Sequence, residues 1–169
     1  MDTYLAVASK RDWRSYADRP VPDDVQQRIL DAGHLSGSSK NKQPWTFVVV
    51  QSDEARERVA EMVYVRANIA TCAFAVAIAT VNGDYTFDAG RSMQNMMLTA
   101  WNEGVVSCPN GMPDREAAAG ALGLDPGLVP VNIASFAYPK RPIDPESRPP
   151  DEWSAAADRR PLAGLVTRI

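Results

Sequence analysis

Histidine and cysteine are scarce in this sequence, which has one histidine and two cysteines. The single histidine, His34, excludes a metal site built from several histidines and argues against a Ser-His-Asp triad. Cys72 and Cys108 form no Cys-x-x-Cys pair and no other metal-binding pattern, so we expect no metal site. Because Cys72 lies in an apolar run, we predict buried free thiols in a reducing, cytoplasmic compartment. We assign His34 a structural role.

Long hydrophobic runs are also missing. The longest, Cys72 to Val81, is too short to cross a bilayer, and the N-terminus has no apolar stretch typical of a signal peptide. The net charge of −3 gives no reason to expect nucleic acid or an anionic membrane as a partner. No Gly-x-Gly-x-x-Gly motif is present, which disfavours a dinucleotide-binding Rossmann fold. With 169 residues, 45% of them hydrophobic, the chain is expected to form one globular domain.

Helical and extended segments are intermixed along the chain. Apolar spacings of three and four predict a helix from 88 to 103, with Met93, Met96 and Met97 in the core. The run from Cys72 to Val81 is apolar without alternation, which predicts a central strand covered on both faces. Further strands are predicted at 46–50 and 131–138, and further helices at 2–9, from about 20 to 33, from 52 to 64–68 and at 114–122. This mixture predicts an α+β or α/β sandwich.

A loop of small polar residues, Ser36 to Asn41, precedes the strand at 46–50. Glycine allows a close approach of the backbone to a ligand, while serine and asparagine supply hydrogen-bond donors and acceptors. The loop is therefore either a cradle for a polar, planar ligand or an ordinary helix–loop–strand connection. Its own residues support the two interpretations equally.

A basic cluster lies near the N-terminus. Lys10, Arg11 and Arg14 fall within five residues and are interleaved with Trp13 and Tyr16. Such a cluster can bind phosphate through charge-assisted hydrogen bonds while the aromatic side chains anchor it to the core. A solvated charged turn is the more common structure for such a run. The carboxylate of Asp12 favours this alternative, because it neutralises a neighbouring cation.

Two later segments differ from ordinary core sequence. The motif from Pro109 to Gly111 predicts a turn that presents backbone N–H groups. The stretch 139–158 is rich in proline and charge and cannot build its own core; when extended, at about 3 Å per residue, it reaches some tens of ångströms. This suits an arm that crosses to a partner subunit, with a flexible linker as the alternative. We therefore divide the chain into a core at 1–138 and an arm with a docking C-terminal element at 139–169.

Several motifs together resemble the FMN-dependent nitroreductase family. The stretch from Lys10 to Pro22 is similar to the family's N-terminal arginine–serine–arginine motif and its following aromatic residue. Gly37 to Trp45 is similar to its proline- and serine-rich loop before Asn-x-Gln-Pro-Trp. Asp88 to Gly90, with the piece from Gly104 to Pro109, resembles the central helix and the loop after it. Arg159 to Leu162 resembles the C-terminal phosphate-binding motif, so the likeness covers nearly the whole chain in the right order.

This resemblance implies a central mixed sheet flanked by helices, in an intertwined homodimer with an extended C-terminal arm. It implies FMN at the dimer interface, NADH or NADPH as electron donor and a small-molecule electron acceptor. No catalytic side chain is implied, because the cofactor carries the chemistry. The implied cofactor-binding residues are Lys10, Arg11, Asp12, Arg14, Gly37, Ser38, Ser39, Asn41, Asn68, Pro109, Asn110, Gly111, Arg159 and Arg160.

The resemblance also implies roles within this set. The N-terminal cations, with Arg159 or Arg160, lie near the phosphate, and Arg14 is the candidate for the ring atoms N1 and O2. A backbone N–H of Asn110 or Gly111 points to N5 or O4. The loop from Gly37 to Ser39 meets the ring from the other subunit. Asn68, and with it Arg66, falls where the family often has a ring contact.

The sequence departs from the family pattern in several places. Asp12 replaces the usual serine, Lys10 the usual first arginine and Gly37 the usual proline. Little room remains between Arg66 and the Cys72 strand for the usual lid insertion, so we expect a more open pocket.

We predict an FMN-dependent oxidoreductase that passes hydride from NAD(P)H to a nitroaromatic, a quinone or a similar small acceptor in a ping-pong cycle. The alternative, which Asp12 and the short lid motivate, is a flavin or deazaflavin binding or handling protein without nicotinamide-driven turnover. A third hypothesis is a dimeric α/β interaction module that binds no flavin and whose basic cluster is a solvated face.

Overall fold

The computed structural model describes residues 1–169 of the chain. The four strands are β1 (Trp45–Val50), β2 (Phe74–Val81), β3 (Val106–Asn110) and β4 (Leu128–Ala137). The α-helices are α1 (Thr3–Ser9), α2 (Asp23–His34), α3 (Asp53–Ala60), α4 (Ala67–Ala70), α5 (Thr86–Asn102), α6 (Arg115–Ala121) and α7 (Pro150–Ala155). None of these helices combines the length and the hydrophobicity needed to cross a bilayer.

The chain forms two compact units. The larger is Arg11–Pro142, which holds all four strands and α2 to α6. The smaller combines Met1–Lys10 with Ile143–Ile169 and holds α1 and α7. Residues 1–10 therefore group with the C-terminal arm, although they were predicted to belong to the core at 1–138. The docking of residues 139–169 on a partner subunit stays a prediction.

The sheet of the larger unit has the strand order β1-β2-β4-β3, and every neighbouring pair of strands is antiparallel. The α+β fold class is confirmed, although the expected mixed sheet is antiparallel throughout its four strands. Parallel pairing is limited to an isolated bridge between Asp12 and Ser107. The strand β2 is central and buried at all but its last residue, as its unbroken apolar run predicted.

Both faces of the sheet are covered by helices. Phe74 and Phe136 point to one face, where they stack with ring centroids 5.0 Å apart in the core cluster that includes Ile29 of α2 and Met96 of α5. Alternate residues of the strands, such as Ala75, point to the other face and join α3, α4 and α6 in a second cluster. The methionines of α5 lie in the first cluster, so the prediction that they are core residues is confirmed.

Two predicted elements differ from the structure. The helix predicted from residue 52 to 64–68 is divided into α3 and α4, and the turn between them allows Tyr64 N to donate to Gly111 O at 3.2 Å. The turn predicted at Pro109 to Gly111 is wrong for its first two residues, because Pro109 and Asn110 belong to β3. Proline is tolerated there since β3 is an edge strand.

The smaller unit has local structure of its own. Asp2 caps α1 by accepting a hydrogen bond from Leu5 N at 3.0 Å, and α1 packs against α7. In the arm, Trp153 Nε1 donates to Pro145 O at 2.8 Å, and the Arg148 guanidinium lies 4.3 Å from the centre of the Trp153 ring. The apolar side chains of the C-terminal tail are exposed: Leu162, Leu165, Val166 and Ile169.

Candidate functional site

Residues 11–17, here called the basic segment, carry Arg11 and Arg14 and lie along the edge strand β3 of the larger unit. Asp12 forms its parallel bridge with Ser107, and Trp13 N donates to Ser107 O at 3.1 Å. Farther along, Ala17 N donates to Tyr138 O at 2.8 Å, which extends the attachment to the end of β4. The segment that carries Arg11 and Arg14 is therefore fixed to the sheet by backbone hydrogen bonds and is not a free solvated turn.

Arg14 is exposed, and its guanidinium forms no hydrogen bond or ion pair within the chain. Arg14 also acts electrostatically on the half-buried Tyr16. Burial raises the pKa of this phenol well above its usual range, while its hydrogen bond to Ser135 and the charge of Arg14 lower the pKa by less. An exposed guanidinium with all of its donors unused is suited to bind an anion.

Asn68 and Asn110 meet below the end of β3. Asn68 Nδ2 donates to Asn110 Oδ1 at 2.7 Å, and Asn110 Nδ2 donates to Cys108 O at 2.8 Å. Both side chains are buried, so their amides are used inside the protein. The contact of a backbone N–H of Asn110 or Gly111 with a ligand stays a prediction; Asn110 is the last residue of β3, and Gly111 follows the strand.

Gly111 is exposed and lies under the ring of Tyr64. A Cβ atom at Gly111 would approach Tyr64 Cε2 to 3.0 Å and Cδ2 to 3.1 Å. The Tyr64 side chain is itself 74% exposed, although it is large and aromatic. Tyr64 was not among the predicted site residues, because its stretch reads as the end of a helix and gives no signal of a contact with residue 111.

The polar loop before β1 is held by α5. Ser39 N donates to Asp88 Oδ2 at 3.2 Å, and Gln43 N donates to Ser38 Oγ at 2.8 Å. Gly37 leaves space for Arg91, whose Nη2 would lie 2.8 Å from a Cβ atom at that position. Asp88 is buried in the first turn of α5, and only its place in the Asp-Ala-Gly motif could have singled it out.

This loop is also conformationally strained. Lys40, Asn41 and Gln43 have φ values of 51°, 55° and 48°, a left-handed region that residues other than glycine seldom occupy. Three such residues within four positions are more than a simple connection requires. Strain of this kind clusters at ligand-binding sites, so the conformation favours the cradle over the ordinary connection.

Two cavities of the larger unit differ in their relation to these residues. One, of about 260 Å³, is lined by Pro109 together with Gly90 and Met93 of α5. Its wall also includes Asn132, whose Oδ1 is buried without a hydrogen-bond partner. The other, of about 480 Å³, opens beside Arg19 and Arg56, and none of the predicted cofactor-binding residues lines it. We therefore associate the smaller cavity with the candidate site.

The remaining predicted residues fall into two groups. Lys10, Arg159 and Arg160 belong to the smaller unit, where Arg159 Nη1 donates to Ala157 O at 3.1 Å; their contact with a phosphate stays a prediction. Arg66, considered as a ring contact, instead pairs with Glu57 and Glu61. These carboxylates raise the pKa of its guanidinium and use its donors.

The chain is similar in sequence and in fold to several known proteins. A protein of Methanothermobacter thermautotrophicus, provisionally named NADH dehydrogenase/NAD(P)H nitroreductase, is 26% identical over 149 residues, which are 82% of this chain and 78% of that protein. A structure of a provisionally named nitroreductase in complex with FMN, from Desulfovibrio desulfuricans, is similar with a TM-score of 0.83 and 23% identity, covering 100% of this chain and 98% of that one. An FMN-dependent nitroreductase from Clostridium difficile has a TM-score of 0.76 and 21% identity, covering 85% and 90%.

The family is shown by a match over most of the larger unit. The model of the Nitroreductase family matches residues 7–79 and 85–138, which include the basic segment, the strained loop, Asn68 and the end of β3. The C-terminal arm lies outside the matched residues. The chain belongs to the nitroreductase family.

Proposed function

We propose that this protein is an FMN-dependent oxidoreductase that uses NADH or NADPH to reduce a nitroaromatic, a quinone or a similar small acceptor. The observation that carries the proposal is the arrangement around β3. A basic segment with the unpaired Arg14 follows the edge of this strand, and the glycine Gly111 follows its last residue. The names of the relatives, NAD(P)H nitroreductase and FMN-dependent nitroreductase, support the same reaction class.

The residues of the larger unit fit a flavin mononucleotide. Arg11 and Arg14 supply cationic donors suited to a phosphate or to the electron-rich N1–O2 edge of the ring. Gly111 has no side chain to keep a ring away from its backbone N–H. The strained loop from Gly37 to Asn41 offers further polar groups, and Asn41 itself is exposed.

When bound at this site, FMN would supply the two-electron hydride-transfer chemistry. The chain's own contribution is to bind and to orient. Arg14 would provide positive charge near N1 and O2, which would favour the reduced state, and the backbone N–H of Asn110 or Gly111 would orient the N5–O4 edge. No side chain serves as a general acid or base. The short segment between Arg66 and Cys72 leaves the pocket open to two substrates in turn, as a ping-pong cycle requires.

We further propose that the active form is a homodimer. Each unit exposes large apolar side chains that a second copy could cover: Leu35 and Phe87 in the larger unit are 79% and 77% exposed, and Leu162 in the smaller is 72% exposed. In the dimer, the loop from Gly37 to Ser39 contacts the flavin held mainly by the other subunit. Light scattering of the holo protein should give twice the chain mass of 18.4 kDa. A monomeric mass contradicts a site shared between subunits.

The central test is flavin binding followed by anaerobic reduction. Purified protein, or protein mixed with FMN and desalted, should be yellow and absorb in the blue region. Under anaerobic conditions, NADH or NADPH should bleach this band, and an added nitroaromatic or quinone should restore it. Parallel double-reciprocal plots with varied donor and acceptor would support the ping-pong cycle.

The same experiment separates the alternatives. A protein that binds FMN or a deazaflavin but is bleached by neither nicotinamide is a flavin-handling protein, and the oxidoreductase proposal fails. A colourless protein that takes up neither cofactor excludes both flavin hypotheses and leaves the interaction module. The exposed carboxylate of Asp12, beside the basic segment, makes the affinity for FMN itself worth comparing with that for a deazaflavin.

A further inference from the structure

Four polar side chains of the larger unit form one continuous chain of hydrogen bonds. The Tyr16 hydroxyl lies 2.7 Å from Ser135 Oγ, Asn110 Nδ2 donates to Ser135 Oγ at 3.3 Å, and Asn68 Nδ2 donates to Asn110 Oδ1 at 2.7 Å. Ser135 is completely buried, and both asparagines are 5% exposed. These hydrogen bonds link the segment beside β3 to α4.

The donors and acceptors of this chain are mutually consistent. Asn110 Nδ2 carries two hydrogens and has three acceptors within reach, Cys108 O at 2.8 Å, Ser135 Oγ at 3.3 Å and Ile133 O at 3.4 Å, so one hydrogen is shared between two of them. A flipped Asn110 amide would place its oxygen against the two carbonyl oxygens. Ser135 Oγ donates its single hydrogen to Cys108 O at 3.2 Å. The Tyr16 hydroxyl is then the donor to Ser135, and burial keeps this phenol protonated by raising its pKa.

This chain of hydrogen bonds connects three segments that belong to the proposed flavin site. Tyr16 lies two residues after Arg14, Asn110 immediately precedes Gly111, and Asn68 lies on α4. Ser135 on β4 is the link between the first two. Tyr16 and Ser135 were not among the predicted cofactor-binding residues: Tyr16 lies in the N-terminal motif without an assigned ligand contact, and Ser135 lies in none of the motifs.

We infer that Tyr16 and Ser135 are positioning residues, which hold the Arg14 segment and the Asn110–Gly111 backbone in one fixed relation for flavin binding. The inference rests on the proposed function, because it concerns the same site. A well-packed apolar pair would fill the same space at little cost in stability, whereas hydrogen bonds fix distance and direction. The polar chain therefore serves geometry more than stability.

The test compares Tyr16→Phe, Ser135→Ala and the double variant. Each single variant removes the Tyr16–Ser135 bond without removing a proposed flavin contact. We expect the dissociation constant for FMN, measured by quenching of flavin fluorescence, to rise about fivefold to tenfold in each, as loss of one hydrogen bond predicts. Because both changes break the same link, the double variant should bind only as weakly as Ser135→Ala, not by the product of the two losses.

A second measurement separates positioning from a general loss of stability. At saturating FMN, the visible circular dichroism of the bound flavin reports how firmly the ring is held. We expect this signal to weaken in both single variants at a temperature where far-ultraviolet circular dichroism shows them fully folded. Ser135→Cys, which keeps the size and a weak donor, should restore part of the affinity and of the signal.

Matched controls come from the same unit. Ser92→Ala removes another buried serine hydroxyl, which donates to Gly33 O at 3.0 Å, and Tyr138→Phe removes a phenol hydroxyl outside the chain of hydrogen bonds. Both should keep wild-type affinity and dichroism. The inference is overturned if Tyr16→Phe and Ser135→Ala bind FMN within twofold of wild type with an unchanged dichroism, or if the controls lose as much. If the wild-type protein takes up no FMN at all, the proposed function fails instead.

Discussion

The side chain of Asn68 donates a 2.7 Å hydrogen bond to that of Asn110, and the two residues lie 42 positions apart in the sequence. Asn68 belongs to α4, which has four residues and could not persist alone in water. Asn110 is the last residue of β3. The bond therefore ties a marginal helix to the sheet end from which Gly111 continues.

Asn68→Ala should destabilise the protein through this contact. It leaves the buried Asn110 Oδ1 without a donor, and an unsatisfied buried acceptor costs about 1–3 kcal/mol. Urea unfolding should show a free energy of unfolding lower by this amount, while its dependence on urea concentration stays unchanged. Asn102→Ala, at the exposed end of α5, serves as the control and should change the free energy of unfolding by less than about 0.5 kcal/mol. Equal losses in the two variants would show that the buried contact contributes nothing specific.

Gly33 marks a close approach between α2 and α5, so Gly33→Ala should also be destabilising. A Cβ atom there would overlap Met96 Cε and lie 2.9 Å from Met96 Cγ, and Met96 is fully buried. Forcing a methyl group into a packed core costs about 1–3 kcal/mol. Gly120→Ala on α6 is the matched control: nothing lies within 4 Å of its Cβ position, so it should stabilise the protein by about 0.5–1 kcal/mol. If the midpoint temperature of thermal unfolding shifted in the same direction for both variants, the packing argument would be refuted.

The stability of the protein should fall at alkaline pH because of Cys72. Burial raises the pKa of this thiol from its ordinary 9.0 to about 11, and the nearby Arg56 lowers it by less. The unfolded chain therefore loses this proton first, so the stability present below pH 9 is lost as the pH rises toward 11. In this range the free energy of unfolding should fall by up to about 1.4 kcal/mol per pH unit. Urea unfolding from pH 7 to 10 should show a flatter decline for Cys72→Ala than for wild type; parallel curves would exclude the thiol as the cause.

The sequence was sufficient where local pattern and tertiary environment agree. The apolar run of β2 and the methionine spacing of α5 predicted a central strand and a core helix, because both are buried along their length or along one face. The split between α3 and α4 was not predictable, since the Tyr64–Gly111 contact that accompanies it joins residues 47 positions apart. Pro109 suggested a turn, and only the position of β3 at the sheet edge makes it a strand residue.

The candidate site follows the same division. Its cations and its polar loop are visible in the sequence as a cluster of charge and a run of small residues. The groups that hold them are not: Asp88 reaches the loop at Ser39 from 49 residues away, and Ser135 reaches Tyr16 from 119 residues away. Such partners are selected by packing rather than by local composition, so only the folded structure brings them together.

Arg14→Ala should weaken FMN binding more than any change to a surface arginine outside the site. Arg14 has no partner within the chain, so its removal leaves no buried group unsatisfied and the fold should be unaffected. Hydrogen bonds to a charged group are worth about 1.5–3 kcal/mol, which corresponds to a loss of about tenfold to a hundredfold in affinity. Arg115→Ala, at the exposed start of α6, is the matched control and should retain wild-type affinity.

Riboflavin, which lacks the phosphate, identifies the part of the cofactor that Arg14 contacts. If Arg14 faces N1 and O2 of the ring, Arg14→Ala weakens riboflavin and FMN binding by the same factor. If it faces the phosphate, only FMN binding weakens, and the FMN affinity of the wild type also falls more steeply with salt. Arg14→Lys keeps the charge but loses the two-pronged donor geometry, so it should recover part of the FMN affinity. Unchanged affinity for both flavins in Arg14→Ala would remove this residue from the site and shift the cationic role to Arg11.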